Sequence, residues 1–249
     1  MYLLMYHEVT NGTPRNVHTV TAGQLRDQLA WLTDNGFRSA RLDSAEGNSA
    51  ESNSAEKQVI LTFDDAYVDF IDVALPILKQ FNFSATVFVI SDLVGKTRHW
   101  TDGNDQSEPP LMDWAQIHAC RDEGIEIGSH TATHPNLTTL SSPELARELF
   151  KSRVALADEL GSEIDILCYP YGQQNAEAQA MARKAGYKLA CASRPFFVGR
   201  TTFDNAFALD RIAMLATDTL DDFAAKINAP LPRRLKWYKW LLKQKIGSR

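Results

Sequence analysis

The sequence predicts an α/β fold built on a parallel sheet, closed as a barrel or left open. Short apolar runs rich in β-branched residues alternate with amphipathic stretches along the chain, the pattern of strands joined by covering helices. The 249 residues suit one α/β barrel or two small domains. No stretch repeats another, which sets solenoids and propellers aside.

Each element follows from local signals. Residues 2–6 form an apolar first strand. Residues 21–35 form a helix: Thr21 caps it, Leu25, Leu29 and Leu32 share one face, and Gly36 stops it. Residues 59–63 are a buried-type strand. Residues 68–80 are helical, with a kink expected at Pro76. Residues 84–90 are β-branched and aromatic, hence a strand. Residues 114–123 are a helix ending at Gly124, and 125–128 a short strand. The clearest helix is 142–160, with Pro143 at its start and Gly161 at its end. A strand at 164–169, a helix at 176–185, a strand at 187–192 and a last core helix at 218–227 complete the series.

The net charge of −5 disfavours a nucleic-acid binder, which usually shows a basic face. Cys120, Cys168 and Cys191 are odd in number and widely spaced, so they read as buried reduced thiols and not as a disulfide framework. The start shows no basic segment followed by an apolar run. The chain therefore reads as cytoplasmic, or as a mature form whose leader has been removed.

Two insertions stand out. Residues 43–57 are rich in Ser, Ala, Glu and Asn and read as a surface loop; residues 95–110 read as a substrate-facing lid. The tail, 232–249, interleaves Arg233, Arg234, Lys236, Lys239, Lys243 and Lys245 with Trp237, Tyr238 and Trp240. As a basic aromatic helix it either lies on an anionic membrane surface, making the protein peripheral to the inner membrane, or packs its apolar side on the domain.

Three constellations carry chemistry, each at the end of an expected strand. Asp64 and Asp65 are adjacent carboxylates that repel unless a cation or proton lies between them. The bland alternative is one helix cap and one solvated side chain. His130 and His134 have the spacing of a zincin helix, but Gly128 and Pro135 indicate a strand-to-loop turn, and Thr131 stands where the zincin glutamate would be. Two His and one Asp leave metal positions open, as in catalytic zinc sites; the same set also describes a non-haem iron oxygenase. The spare Asp favours hydrolysis, since one carboxylate can bind metal while its neighbour acts as base. The third constellation, Tyr169-Pro170-Tyr171-Gly172, is a turn that can present a backbone N–H and a ring.

In this order, Thr62-Phe63-Asp64-Asp65, His130-x-x-x-His134 and Tyr169-Pro170-Tyr171-Gly172 resemble the polysaccharide deacetylases, the chitooligosaccharide deacetylase homology domain. Tyr6-His7-Glu8-Val9 and Ala85-Thr86-Val87-Phe88-Val89 are similar to the subgroup containing poly-N-acetylglucosamine deacetylases. The resemblance spans roughly residues 1–215. It implies a distorted (β/α) barrel over residues 1–231, followed by the basic C-terminal helix.

The resemblance also implies a divalent metal, most simply Zn2+, held by Asp65, His130 and His134. Asp64 would be the base, and the Tyr171 N–H an oxyanion donor. Relatives often take the general acid from a late motif, but no His follows His134 here, so His7 is the candidate; its alternative is a hydrogen-bonded strand-end histidine. Ala66 replaces a usual Gly. Cys168 replaces an Arg that orients the base, and Arg211 is the expected substitute, unless it merely pairs with Asp210. Trp100 and Trp114 are expected to wall the site.

The implied reaction is N-deacetylation of a carbohydrate. An O-acetyl ester or non-peptide amide would suit the same site, and a glycan- or membrane-binding protein without turnover is the alternative of a different class.

Overall fold

A computed structural model describes residues 1–44, 57–97, 109–194 and 197–229. The first strand, β1 (Tyr2–Tyr6), leads into β2 (Glu8–Thr10), which pairs in parallel with β3 (Thr19–Thr21) as a small separate sheet. The helix α1 (Ala22–Asp34) follows, with Thr21 accepting from the Gln24 N–H in a capping box. Then come β4 (Phe37–Ser39) and β5 (Lys57–Phe63).

The expected kink at Pro76 takes a specific form. A π-turn, Phe70–Ala74, runs into α2 (Leu75–Gln80), and the Leu75 N–H donates to Phe70 O. The wide turn places Pro76, which has no N–H to give, in the first turn of the new helix. Next are β6 (Thr86–Val89), α3 (Trp114–Asp122), β7 (Glu126–Ser129) and α4 (Ser142–Leu160). Ser141 and Glu144 form the capping box of α4, and Gly161, at φ 62°, ends it. The chain continues through β8 (Ile166–Cys168), α5 (Ala176–Ala185), β9 (Leu189–Ala192), β10 (Leu209–Asp210), β11 (Ile212–Ala213) and α6 (Leu220–Asn228).

The main sheet is parallel throughout, in the order β10-β9-β8-β7-β6-β5-β1-β11, with β4 also on β5. Its two ends are nearly continuous in sequence. Leu209 and Asp210 pair with β9, while Ile212 and Ala213 pair with β1. One short stretch therefore joins both edges of the sheet into a distorted barrel, and Arg211 sits at the junction. Leu3, Ile60, Phe88, Ile166 and Leu209 fill one face of the sheet, and the larger core lies between the other face and the helices.

The three cysteines are buried and free, as expected. Among the described residues, no helix is long and apolar enough to cross a membrane. Most of the two expected insertions, at 45–56 and 98–108, and the tail at 232–249 lie outside the described residues. Sequence periodicity does not announce β2, β3, β4, β10 or β11: each is two or three residues long and lacks the longer apolar run that surrounds the equally short β8.

Candidate active site

The C-terminal ends of the strands converge on a cavity of about 530 Å3. His7, Asp64, Asp65, His130, His134 and Tyr171 all line it. Catalytic groups in parallel α/β architectures collect at this end of the sheet.

Asp64 and Asp65 follow β5. Asp65 and Ala66 both adopt left-handed backbone, at φ 72° and 58°, which sends the two adjacent carboxylates to different partners. The Met112 N–H donates to Ala66 O and fastens the turn. His130 continues β7, with its N–H donating to Val89 O at 2.8 Å. Thr131 and His134 are again left-handed, at φ 69° and 66°. Such strain persists where surrounding bonds hold it. Glu148 on α4 supplies those bonds: it accepts from the N–H of Ala132 and Thr133 at 3.0 and 2.9 Å, and from Thr133 Oγ1 at 2.8 Å. The two histidines thus belong to a buckled loop, as Gly128 and Pro135 imply.

His130 Nε2 and His134 Nε2 lie 3.4 and 3.5 Å from Asp65 Oδ1. His130 Nδ1 lies 2.8 Å from Cys168 O. A carbonyl can only accept, so Nδ1 carries the proton and Nε2 turns a lone pair toward Asp65. Two imidazole nitrogens and one carboxylate oxygen facing a common point fit a divalent cation with open coordination positions. Asp64, His130 and Cys168 also approach one another, but that set fits a cation poorly. Both Asp64 oxygens are held by Arg211, and burial raises the Cys168 thiol well above its ordinary value, leaving it protonated.

Arg211 reaches in from the barrel junction and forks Asp64, Nη1 to Oδ1 at 2.6 Å and Nη2 to Oδ2 at 2.8 Å. Its other donors go to Thr62 Oγ1, Ala192 O and Cys168 Sγ. Asp210 pairs with Arg194 instead, so the alternative pairing of Arg211 with Asp210 is not realised. Burial opposes the charge on Asp64, but the guanidinium outweighs it and holds the carboxyl below the usual carboxylate range.

His7 follows β1, with Nε2 3.8 Å from Asp64 Oδ2. Burial pushes its pKa down to about 3, against the opposing pull of Asp64. Its Nδ1 has no hydrogen-bond partner among the described residues, which does not match the alternative of a hydrogen-bonded strand-end histidine. The Tyr171 ring packs edge-on against His134, with centroids 4.8 Å apart, on a backbone at φ 59°.

Trp114 does not wall the cavity: it begins α3 and packs against the main core. Trp100 lies outside the described residues. Sequence reasoning missed His18, whose ring sits 4.9 Å from His7, and the loop anchor Glu148. No motif marks either; both are brought in by tertiary packing.

With the geometry assembled, comparison with known proteins is decisive on family. The sequence profile of the polysaccharide deacetylases matches residues 51–190. The chain belongs to the polysaccharide deacetylase family. It is 29% identical to YxkH, classed with these deacetylases in Bacillus subtilis (strain 168), over 84% of this chain and 70% of that protein. It is 26% identical to the poly-beta-1,6-N-acetyl-D-glucosamine N-deacetylase of Escherichia coli (strain K12), over 84% of this chain but only 35% of that enzyme. The solved structure of the Streptococcus pyogenes deacetylase PplD, in complex with acetate, superposes with a TM-score of 0.78 at 24% identity, covering 92% of this chain and 98% of that one. IcaB from Ammonifex degensii gives 0.72 at 22%, covering 90% and 93%. At such identities the two structures establish the deacetylase (β/α) barrel fold.

Proposed function

We propose that this polysaccharide deacetylase is a zinc-dependent N-deacetylase acting on N-acetylglucosamine units of a glycan. The observation that carries the reading is that one cavity holds a His–His–Asp donor set and, beside it, a second carboxylate kept ionised by a buried arginine. The similarity to a poly-beta-1,6-N-acetyl-D-glucosamine N-deacetylase supports the choice of substrate.

Asp65, His130 and His134 would hold the metal. A Zn2+ bound there would supply Lewis acidity at neutral pH. Asp64, ionised, accepts the proton of the attacking water. A carboxylate made weakly basic by Arg211 passes that proton on and does not keep it. His7 Nε2, 3.8 Å away, is the next base. Having received the proton, His7 gives it to the leaving amine. The Tyr171 N–H stabilises the oxyanion of the tetrahedral species, and the Tyr171 ring offers the sugar an apolar face.

Purified protein incubated with N-acetylglucosamine oligomers, with zinc or with a chelator, tests the reading through new primary amine. Release that depends on metal is expected. Asp64→Asn is expected to keep the metal and lose turnover by about 10²–10⁴-fold, and His134→Ala to lose the metal. Amine release indifferent to chelator, or an Asp64→Asn protein with most of its turnover, contradicts it.

The basic aromatic tail supports a glycan met at an anionic membrane surface. Liposome partitioning unchanged by deletion of residues 232–249 contradicts that part.

A further inference from the structure

Two further histidines meet in the cavity. His7 follows β1 and His18 precedes β3, and both line the space that holds Asp65, His130 and His134. The chain between β2 and β3 is tied down on both sides of His18. Glu8, buried on β2, accepts from Arg15 Nε at 2.8 Å and from Thr19 Oγ1 at 3.0 Å. Asn16 Oδ1 accepts from the His18 N–H at 2.8 Å, and the Ala216 N–H donates to Val17 O at 2.9 Å. These anchors set the His18 ring 4.9 Å from the His7 ring, centroid to centroid.

That separation suits two imidazoles sharing one cation. The rings of His130 and His134, which face a common point with Asp65, are 4.8 Å apart. Ligation requires a neutral imidazole with a free lone pair. Burial pushes the His7 pKa down to about 3, so its ring is neutral through the ordinary pH range. His7 Nδ1 is closed to solvent and has no hydrogen-bond partner among the described residues. The ring beside it, His18, is exposed, which gives a cation a way in. The neighbouring carboxylates are already engaged: Glu8 by Arg15 and Thr19, Asp64 by Arg211. The donor set is therefore two imidazoles completed by water. Imidazole nitrogen suits zinc, nickel and copper, and disfavours magnesium and calcium.

We propose that His7 and His18 form a second, weaker site for a transition-metal dication, filled after the Asp65, His130 and His134 site. Its occupation inhibits. A cation on His7 Nδ1 leaves the ring proton on Nε2, the atom that has to accept a proton from Asp64. The binding stands on the two histidines alone, whereas the inhibition rests on the N-deacetylase reading.

The test is a Zn2+ titration of the chelator-stripped protein, followed by calorimetry and equilibrium dialysis. Two equivalents are expected, the second about 10²-fold weaker than the first. His18→Ala and His7→Asn are each expected to keep the tight equivalent and lose the weak one. His134→Ala should do the reverse, losing the tight equivalent and keeping the weak one. A single equivalent in the unsubstituted protein overturns the site. So does a second equivalent that survives both His18→Ala and His7→Asn.

Amine release is measured in parallel at one equivalent of Zn2+ and at saturation. Saturation is expected to lower turnover about tenfold in the unsubstituted protein, with the ratio returning close to one in His18→Ala. Inhibition that persists in His18→Ala overturns the inhibitory role of the pair. Absence of amine release at both zinc levels counts against the N-deacetylase reading alone, because the stoichiometry of the variants still decides the site.

Discussion

Arg211 grips both oxygens of Asp64, at 2.6 and 2.8 Å, from the point where the barrel closes. The residue that keeps the Asp64 carboxylate ionised is thus the residue at the seam of the sheet, so one side chain serves both the barrel junction and the cavity. Removing one partner of a buried ion pair leaves the other charge uncompensated, at a cost of roughly 3–5 kcal/mol. Arg211→Ala is expected to destabilise by about that amount in denaturant unfolding. Arg211→Lys, which keeps a charge but not the fork, should restore part of the stability and little of the turnover. Because the folded Asp64 pKa is depressed, its contribution to stability is complete above the ordinary carboxylate value, about 3.9. It is lost as pH falls through the lower folded value. The loss in Arg211→Ala should therefore be full at pH 7.

The space beside this pair bears on the thiols. Cys168 Sγ lies 3.0 Å from Arg211 Nη2. Burial pushes Cys120 and Cys191 up to about 12 and Cys168 well above its ordinary value. A thiolate is the reactive form. A disulfide reagent at pH 8 should titrate none of the three cysteines in the native protein and all three after denaturation. Fast native labelling of any of them contradicts this placement.

Glu148 ties α4 to the His130–His134 loop through three hydrogen bonds. It stands outside the Asp65, His130 and His134 set, yet it holds the turn in which His134 has its left-handed backbone. Outer-shell partners of this kind typically contribute 10–100-fold in metal affinity. Glu148→Ala should weaken Zn2+ binding by about that factor in a chelator competition, with global stability altered far less. Unchanged affinity would mean that the loop holds its shape without Glu148.

The contrast between Glu148 and the residues found from sequence shows what was legible. Asp64, Asp65, His130 and His134 stand in short motifs at strand ends, so order and spacing sufficed. The long helices α1, α4 and α5 were legible to within a residue because caps, periodicity and stops agree. Arg211 was reachable only by asking what replaces the arginine missing at 168. Glu148 and His18 were not reachable, since no motif or periodic pattern carries them and each meets its partners only through tertiary packing. The barrel junction was hidden for a related reason: β10 and β11 are two residues each, and only their partners reveal them.

Ala66 adopts φ 58°, a conformation in which a Cβ costs roughly 1–2 kcal/mol. Glycine adopts this backbone without that cost. Glycine adds flexibility to the unfolded chain and takes a buried methyl from the core, so the net gain is smaller. Ala66→Gly is expected to leave stability within about 1 kcal/mol of the parent, a change in Tm of no more than about 4 °C, because the relieved strain and the two losses nearly cancel. A fall in Tm well beyond that range would mean that the methyl contact outweighs the backbone strain.

His7 gives the last prediction, and its sign is opposite to that of a salt-bridged histidine. Burial lowers the folded-state pKa to about 3, whereas an unfolded histidine titrates near 6.5. Between those values the unfolded chain binds a proton that the folded chain refuses. Stability must then rise with pH across that interval, and the His7 contribution is fully present only above about pH 6.5. Unfolding measured in chelator from pH 7 to pH 4 should show the native protein losing stability on acidification, and His7→Asn should flatten that slope. The same substitution leaves the Asp64–Arg211 fork in place, so a His7→Asn protein that binds Zn2+ normally but no longer turns over would place His7 on the proton path. Full turnover in that variant would assign the general acid to another group.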